Sequence, residues 1–347
     1  MLDDLQREVT DEPLSDLAVL EKGYQLFERK QYADVMANVY NLTVKPVKTE
    51  TRQDAKLLFY KAAEKEVERL YADHKYKELI DMYGPVEKKL NNNIDPATVL
   101  LVAEAYNNLK LYSDAVNVYL KIKPYDLNQS AKGKYIYGLA DVYINAGYTD
   151  QAQNLLERSS EDKLDRPERQ KITLLLAEIF VQKGMHEKAY TLYESMLQNK
   201  SKPPENDLVK IYFAMGKILR ARNSMERAEY YINKAIQIAQ SRSDLQNILQ
   251  AAHMELGLLH YSKGNYSHAA KSLENGFSLG YSPEKDDYWE NRFMLASAYL
   301  EEGENSKAAP LLSEISEEGD ILMQQKAQIR IGAIDLEEQM KRLSINE

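Results

Sequence analysis

The stretch "LGLLHYSKGNYSHAAKSLENGF", residues 256–277, decides the fold because it contains a small residue, a glycine turn and a second small residue at short intervals. These residues are Gly257, Gly264 and Ala269, and helix-forming residues fill most of the space between them. A glycine followed by a polar residue ends one helix and lets another begin. The stretch therefore predicts two antiparallel helices, with small residues where the two helices cross.

The same arrangement recurs along the chain, and each copy can be aligned on the small or apolar residue that follows its turn. These aligned residues, called anchors below, are Val35, Leu79, Ala115, Ala152, Ala189, Ala228, Ala269 and Ala308. They are separated by 44, 36, 37, 37, 39, 41 and 39 residues. A period of this length is typical of helical repeats that stack into an array.

Each repeat has the same internal plan. Twelve residues before the anchor comes a small residue, which is Gly23, Ala103, Ala140, Ala177, Gly216, Gly257 or Ala296; only the second repeat differs, with Val67. Three residues after this position and four residues after the anchor come large residues. Spacings of three and four place side chains on one helical face, and small residues let two backbones approach. Each repeat is thus predicted to be a helix pair that buries its apolar faces against its neighbours.

The pattern resembles the tetratricopeptide repeat over roughly residues 14–318. Gly257, Tyr266 and Ala269 occupy the positions of the glycine, aromatic and alanine of that family's signature. The resemblance implies an all-α fold, an α-solenoid (superhelix) of about eight antiparallel helix pairs with a C-terminal capping helix. The sequence departs from the family in lacking its leading tryptophan. Gly84-Pro85 is also expected to break or kink the second helix of its repeat.

Three regions follow from this alignment. Residues 1–13 are predicted to be an N-terminal tail, and residues 14–318 form the repeat array, of which the first two repeats are degenerate. Residues 319–347 are predicted to be the capping helix and a tail, with Gly332 at the small position and a polar outer face. A capping helix and the first helix of a further repeat would look alike in sequence.

Composition restricts the classes of function. The net charge is −9, and no dense cluster of lysine and arginine is present, which disfavours nucleic acid as a partner. The absence of cysteine excludes disulfides and zinc–thiolate sites. No run of eighteen apolar residues exists, so direct membrane insertion is not expected. A cytoplasmic location is favoured, or a periplasmic or envelope location if the chain is a mature or excised fragment.

The sequence contains no recognisable catalytic, cofactor or metal site. "HEKAY" at residue 186 resembles the start of a zinc-protease motif, but Tyr190 replaces the second histidine. His253 and His260 lie two helical turns apart, too far to chelate one ion together, and His260 occupies a packing position. No phosphate-binding glycine loop is present. An enzyme is therefore not expected.

The resemblance implies that the first helix of each pair lines a concave groove, and helical geometry then predicts the residues facing it. The candidate partner-binding residues are Asn107, Asn108, Tyr137, Asp141, Asn145, Glu178, Phe213, Lys217, Arg220, Met254, Tyr261 and Phe293. This set is called the predicted stripe below. It is polar in its first half, and it becomes apolar beyond Arg220. Phe213, Tyr261 and Phe293 are predicted to anchor an apolar part of the partner, unless they pack against neighbouring repeats.

The leading hypothesis is a non-catalytic scaffold or adaptor that holds a peptide, helix or partner domain in the groove. The stripe lacks the lysines and asparagines with which some co-chaperones of this family bind a C-terminal carboxylate. Two alternatives remain open at this point: a structural protein that self-assembles through its terminal repeats, or the docking or sensory arm of a larger multidomain enzyme. A homo-oligomer is compatible with each of these.

Overall fold

A computed structural model of the chain describes residues 12–45, 47–90, 94–159, 162–199 and 202–345. Within these ranges it contains seventeen α-helices and no strand. The all-α prediction is therefore confirmed. The chain divides into two compact units, Met1–Ile179 and Phe180–Glu347, which are called the first and second units below.

The helices of the first unit, of which α9 runs on across the boundary, are α1 (Glu12–Glu28), α2 (Tyr32–Val44), α3 (Thr49–Ala72), α4 (Tyr76–Leu90), α5 (Pro96–Asn108), α6 (Tyr112–Lys121), α7 (Gln129–Asn145), α8 (Thr149–Arg158) and α9 (Arg166–Gln182). A short 3-10 turn, Pro124–Asp126, precedes α7. Pro96 begins α5, where its missing N–H costs no helical hydrogen bond.

The helices of the second unit are α10 (His186–Gln198), α11 (Glu205–Ala221), α12 (Met225–Ala239), α13 (Gln246–Ser262), α14 (Tyr266–Ser278), α15 (Tyr288–Glu301), α16 (Asn305–Glu318) and α17 (Ile321–Ile345). A 3-10 turn, Ser243–Leu245, precedes α13. The longer connections, such as residues 279–287, account for the repeats that exceed the usual length of the family.

Most helices within a unit pack against the next one, and most first helices also pack against the first helix of the following pair. In the first unit α1 contacts α3, α3 contacts α5, and α5 contacts α7. In the second unit α11 contacts α13, α13 contacts α15, and α15 contacts α17. First helices thus form one continuous layer in each unit, as expected for stacked repeats.

Burial of the anchors explains why the repeat pattern holds. All eight anchors have no exposed surface, from Val35 to Ala308. A Cβ atom added to Gly23, Gly216 or Gly257 would lie 2.5–2.6 Å from the side chain four residues after its own anchor, that of Val39, Ile232 or Leu273. The two helices of each pair therefore cross at the small residue, and any side chain there would separate them.

The turn inside each pair uses one residue in the left-handed region. These residues lie five positions before the anchors, and they are Lys30, His74, Lys110, Gly147, Gly184, Asn223, Gly264 and Gly303. In the turn of the stretch quoted first, the Asn265 N–H donates to the carbonyl of His260 at 2.9 Å. This bond closes the end of α13 and turns the chain into α14.

Three details differ from the predictions. Gly84-Pro85 does not break α4, which continues to Leu90 with Pro85 on its exposed face. Gly332 is exposed with open space around it, and Ala327 is the buried small residue of α17 instead. Helix α1 already begins at Glu12, and residues 1–11 of the predicted tail lie outside the described residues.

Candidate protein-binding surface

The first unit contains a concave pocket of about 610 Å³ between its first helices. Helices α3, α5, α7 and α9 each contribute to its wall, and Tyr119 of α6 lies beneath them. Four residues of the predicted stripe line it: Asn107, Asn108, Tyr137 and Asp141. The periodicity of the sequence thus brings these four side chains to one surface, although they come from two repeats.

Hydrogen bonds between successive first helices fix the polar side chains of this pocket. Tyr71 of α3 donates its hydroxyl to Glu104 of α5 at 2.5 Å, and burial raises the pKa of Tyr71. Asn107 of α5 donates through Nδ2 to Asp141 of α7 at 2.9 Å, and Asn145 donates to the same carboxylate at 3.2 Å. Both carboxylates are therefore occupied by neutral donors of the protein itself.

Two exposed lysines lie in the wall of the pocket. Lys134 of α7 and Lys171 of α9 both line the wall and are exposed. Across the part of the chain that the structure describes, neither forms an ion pair with a carboxylate. The wall also contains three carboxylates, but Glu104 and Asp141 are half-buried and Glu168 is buried. The exposed ammonium groups are therefore the charged groups of the wall most accessible to an incoming anionic side chain.

The floor of the pocket is an unusually close contact between α6 and α7. A Cβ atom added to Gly138 would lie 2.1 Å from the hydroxyl of Tyr119, whose side chain has no exposed surface. Among the described residues, that hydroxyl has no hydrogen-bond partner, and neither does Oδ1 of Asn107 in the wall. Burial, with the carboxylates of Glu104 and Asp141, raises the pKa of Tyr119, so it stays a neutral hydroxyl.

Sequence reasoning missed Tyr71 and Tyr119 as parts of this surface, since it assigned residues to the groove only by their position on the stripe. A usable signal was present in α7, where two glycines interrupt a helix-forming sequence. A Cβ atom added to Gly133 would lie 2.3 Å from the side chain of Glu168, and one added to Gly138 would lie 2.1 Å from the hydroxyl of Tyr119. Helix-internal glycines of this kind mark close approach of a neighbouring element.

The second half of the predicted stripe is organised differently, because its aromatic residues pack within the second unit. Phe213 is half-buried against the cluster formed by Val209 and Leu245, and the ammonium of Lys217 lies 5.6 Å from its ring centre. Phe293 is likewise half-buried, with Lys326 of α17 at 5.9 Å from its ring centre. Both rings are therefore partly covered by other residues of the second unit.

Met254 is the clearest correction to the predicted stripe. Its side chain is only 3% exposed, and its sulfur and methyl group fill the space beside Gly276 of α14. It therefore belongs to the core and does not line the groove. Tyr261 is half-buried against Tyr266, with ring centres 5.2 Å apart. Core residues and groove-facing residues recur at the same helical spacing, so the spacing alone did not distinguish a core residue from a groove residue.

The remaining residues of the predicted stripe, Arg220 and Glu178, are both charged. Arg220 of α11 donates through Nε to Glu255 of α13 at 2.6 Å, and the Glu255 side chain is only 9% exposed. Glu178 is half-buried in α9 and does not line the pocket. Arg220 thus links two successive first helices of the second unit, much as Asn107 does in the first.

The histidines and carboxylates that the structure describes do not gather into a metal-binding group. No group of three or more histidine, aspartate or glutamate side chains is placed to hold a metal ion among them. His260 is buried at the packing position predicted for it, and burial lowers its pKa. None of the described helices is both long enough and apolar enough to cross a membrane.

Comparisons with known proteins agree with this architecture. Sequence profiles of the tetratricopeptide repeat match residues 137–204 and residues 209–242. The sequence matches no curated protein. PilF of Pseudomonas aeruginosa superimposes with a TM-score of 0.53 at 12% identity, over 68% of this chain and 97% of that one.

Two further solved structures are similar at the level of the fold. One is the C-terminal part of a TPR repeat-containing protein from Cytophaga hutchinsonii, with a TM-score of 0.52 at 15% identity, over 73% of this chain and 93% of that one. The other is the Cut9–Hcn1 hetero-tetramer of the APC/C, with a TM-score of 0.51 at 19% identity, over 95% of this chain and 58% of that one. Residues 137–204 and 209–242 are thus matched as tetratricopeptide repeats, and the helix pairs outside them follow the same plan.

Proposed function

We propose that this protein is a non-catalytic scaffold whose partner binds in the pocket of the first unit. The tetratricopeptide fold generally serves protein–protein interaction, and this supports the class of function. The observation that carries the choice of site is the pocket of about 610 Å³ with two exposed lysines in its wall, neither of which forms an ion pair with a described residue. The aromatic half of the stripe is a weaker candidate, because its rings are partly covered.

The chemistry of the wall selects the kind of partner segment. Exposed Lys134 and Lys171 attract an acidic side chain. The three carboxylates of the wall are less accessible, since Glu104 and Asp141 are half-buried and hydrogen-bonded within the wall and Glu168 is buried. Half-buried Leu101 and exposed Tyr137 supply apolar contact beside the lysines. The partner is therefore an extended or helical protein segment that combines an acidic residue with an apolar one.

Charge reversal at the two lysines tests this proposal. Lys134→Glu/Lys171→Glu is compared with Lys210→Glu/Lys271→Glu, which makes the same change in charge at exposed positions of the second unit. Proteins captured from native lysate by the wild-type chain are identified, and the affinity of each purified partner is measured for all three chains. The pocket variant is expected to lose about tenfold or more in affinity, and the control variant much less.

The opposite result would move the binding site. If the two variants weaken a partner equally, the effect of the charge is not local and the pocket is not the site. If neither weakens it, the partner binds another surface of the array. Circular dichroism at increasing temperature shows whether all three chains are equally folded.

A further inference from the structure

The last helix, α17, has an apolar face that no described residue covers. Leu322, Ile329, Leu336 and Met340 are 56%, 73%, 58% and 61% exposed. The opposite face of α17 packs on α15 and α16 through Met323 and other residues of a buried cluster. Four large apolar side chains on a solvent-facing stripe are unfavourable unless something covers them.

The spacing of this stripe is that of a coiled-coil seam. Leu322, Ile329 and Leu336 are seven residues apart, and Ala333 and Met340 lie four residues after Ile329 and Leu336. Intervals of three and four at a strict period of seven keep a seam facing one partner helix over several turns. Lys326 also falls on the seam, but its ammonium lies over the ring of Phe293, away from it.

Charges along one edge of the seam indicate which helix fits it. Arg330 and Glu337 follow Ile329 and Leu336 directly, and both are exposed. Neither forms an ion pair with any residue that the structure describes. They are about 10 Å apart along the helix, so they do not reach each other well.

A second α17 running antiparallel satisfies both charges at once. In an antiparallel pair the same edge of each helix meets, so Arg330 lies beside the partner's Glu337, and Glu337 beside the partner's Arg330. This register puts small Ala333 opposite the partner's Leu336 and puts Ile329 opposite the partner's Met340. It covers Ile329, Leu336 and Met340, whereas Leu322 lies beyond the paired segment. The other edge carries Gly332, where open space around the backbone leaves room for close approach.

Other arrangements of the same seam are less favourable. Shifting the antiparallel register by one heptad places Arg330 against the partner's Arg330, which is repulsive. A parallel pair brings the edge of Gln325, Gly332 and Gln339 against the edge of Arg330 and Glu337, so neither charge gains an opposite one. Charge and side-chain size therefore agree on a single register.

We propose that two copies of this chain associate through α17 in that antiparallel arrangement. The contact is isologous, since the same surface serves both copies, and it closes after two. It involves neither the pocket of the first unit nor its lysines, so the proposal stands apart from the proposed partner site. A scaffold paired in this way carries two copies of that site.

Charge exchange at one edge of the seam tests the arrangement in the full chain. Sedimentation equilibrium from about 1 to 200 µM is expected to show a monomer–dimer equilibrium for the wild type. Arg330→Glu and Glu337→Arg are each expected to raise the dissociation constant about tenfold or more. The doubly exchanged chain, Arg330→Glu/Glu337→Arg, and an equimolar mixture of the two single variants are both expected to dimerise as the wild type does.

Two results of this experiment would overturn the proposal. One is a monomer at every concentration. The other is a dimer whose dissociation constant is the same for Arg330→Glu as for Lys271→Glu, a control with the same change in charge at an exposed position of α14. All of these positions are exposed, so folding of each variant is checked by its thermal unfolding and is expected to be unchanged.

Cross-linking tests the orientation separately, because the natural sequence contains no cysteine. A mixture of Ala333→Cys and Leu336→Cys chains is expected to form an intermolecular disulfide under mild oxidation. Leu322→Cys alone is expected to form none, since an antiparallel pair holds its two copies about 35 Å apart. Efficient self-linking of Leu322→Cys would establish a parallel pair and refute the proposed arrangement.

Discussion

The first helices of the two units present the same periodic positions in opposite ways. In the first unit, stripe residues such as Asn107 and Asp141 line an open pocket and bond to one another. In the second unit the corresponding stripe is closed, since Met254 is buried and Phe213 packs on its own repeat. Helical period alone therefore places a residue on a face, and the size of the neighbouring side chains decides whether that face stays open.

The difference has a local cause in glycines inside the helices. Gly276 of α14 leaves a space that the Met254 side chain fills. In the first unit Gly138 admits the ring of Tyr119 from below, so α7 keeps its outer side free for Tyr137 and Lys134. A glycine inside a helix therefore has opposite effects in the two units. In the second unit it makes room for a stripe residue in the core, and in the first unit it makes room for Tyr119, so that the stripe residues stay on the surface.

Truncating one aliphatic side chain on each stripe tests this contrast with the largest expected effect. Met254→Ala removes a buried side chain and leaves a cavity, so the free energy of unfolding is expected to fall by about 2–4 kcal/mol. Leu101→Ala, on the half-buried wall of the pocket, is expected to cost less than about 1.5 kcal/mol. Urea unfolding measures both, and equal losses would mean that Met254 is not in the core.

The polar links between first helices provide the next contrast. Arg220→Met leaves the carboxylate of Glu255 nearly buried and without its partner, and the expected loss of unfolding free energy is about 2–3 kcal/mol. Asn107→Ala removes one hydrogen bond to the Asp141 carboxylate in an open pocket, where water replaces it, and is expected to cost about 1 kcal/mol. The double variant Arg220→Met/Glu255→Met serves as control and is expected to regain most of the larger loss. A loss at Arg220 no greater than that at Asn107 would show that the pair is effectively exposed.

These contrasts also show what the sequence could reveal. The anchors, the small residues before them and the turns were readable because each recurs at fixed spacing. The residue equivalent to Ala115 is buried in every repeat, and the residue equivalent to Gly257 is small in all but the second. The pocket was only half readable. Its stripe residues followed from helical geometry, but Tyr119 enters through a single close contact with Gly138, which one repeat alone possesses.

The corrections have a related physical origin. Pro85 was expected to interrupt α4, yet it lies on the exposed face, where the carbonyl left without a helical N–H is open to water. Gly332 fitted the alignment, but the small residue that packs in α17 is Ala327. The repeat period identifies which residues could occupy the small position of a helix. Contacts with the neighbouring helix decide which of them is buried there.

A titrating residue distinguishes the core of the second unit from that of the first. The position three residues after the small one is Tyr106 in the third repeat and His260 in the seventh. Burial lowers the pKa of His260 below its usual 6.5, so the unfolded chain binds the proton more readily than the folded one. Stability is therefore expected to be lost as the pH falls through about 6.5.

Thermal unfolding of the wild type and of His260→Tyr between pH 8 and pH 5 measures this contribution. The variant carries the residue of the third repeat, and its melting temperature is expected to fall less on acidification. Burial also lowers the pKa of His253, so a smaller dependence on pH should remain in the variant. An unchanged pH profile would mean that His260 titrates alike in both states.

The smallest expected effects compare turns that hold a non-glycine residue in the left-handed region with turns that hold glycine there. Lys30, His74 and Lys110 hold the left-handed position in the first three repeats, whereas Gly264 and Gly303 hold it in the last two. A side chain costs about 1 kcal/mol in that region because its Cβ approaches the backbone carbonyl, and glycine avoids this cost.

Reciprocal substitution measures that cost in two turns that are otherwise alike. The Leu111 N–H donates to the carbonyl of Tyr106 at 2.9 Å, as the Asn265 N–H does to that of His260, so both turns close with the same bond. Lys110→Gly is expected to raise the free energy of unfolding by about 0.5–1 kcal/mol, and Gly264→Ala to lower it by about 1 kcal/mol. Opposite signs would show that the turn conformation sets the effect. A loss in both variants would show instead that the aliphatic part of Lys110 stabilises its turn by more than the backbone strain costs.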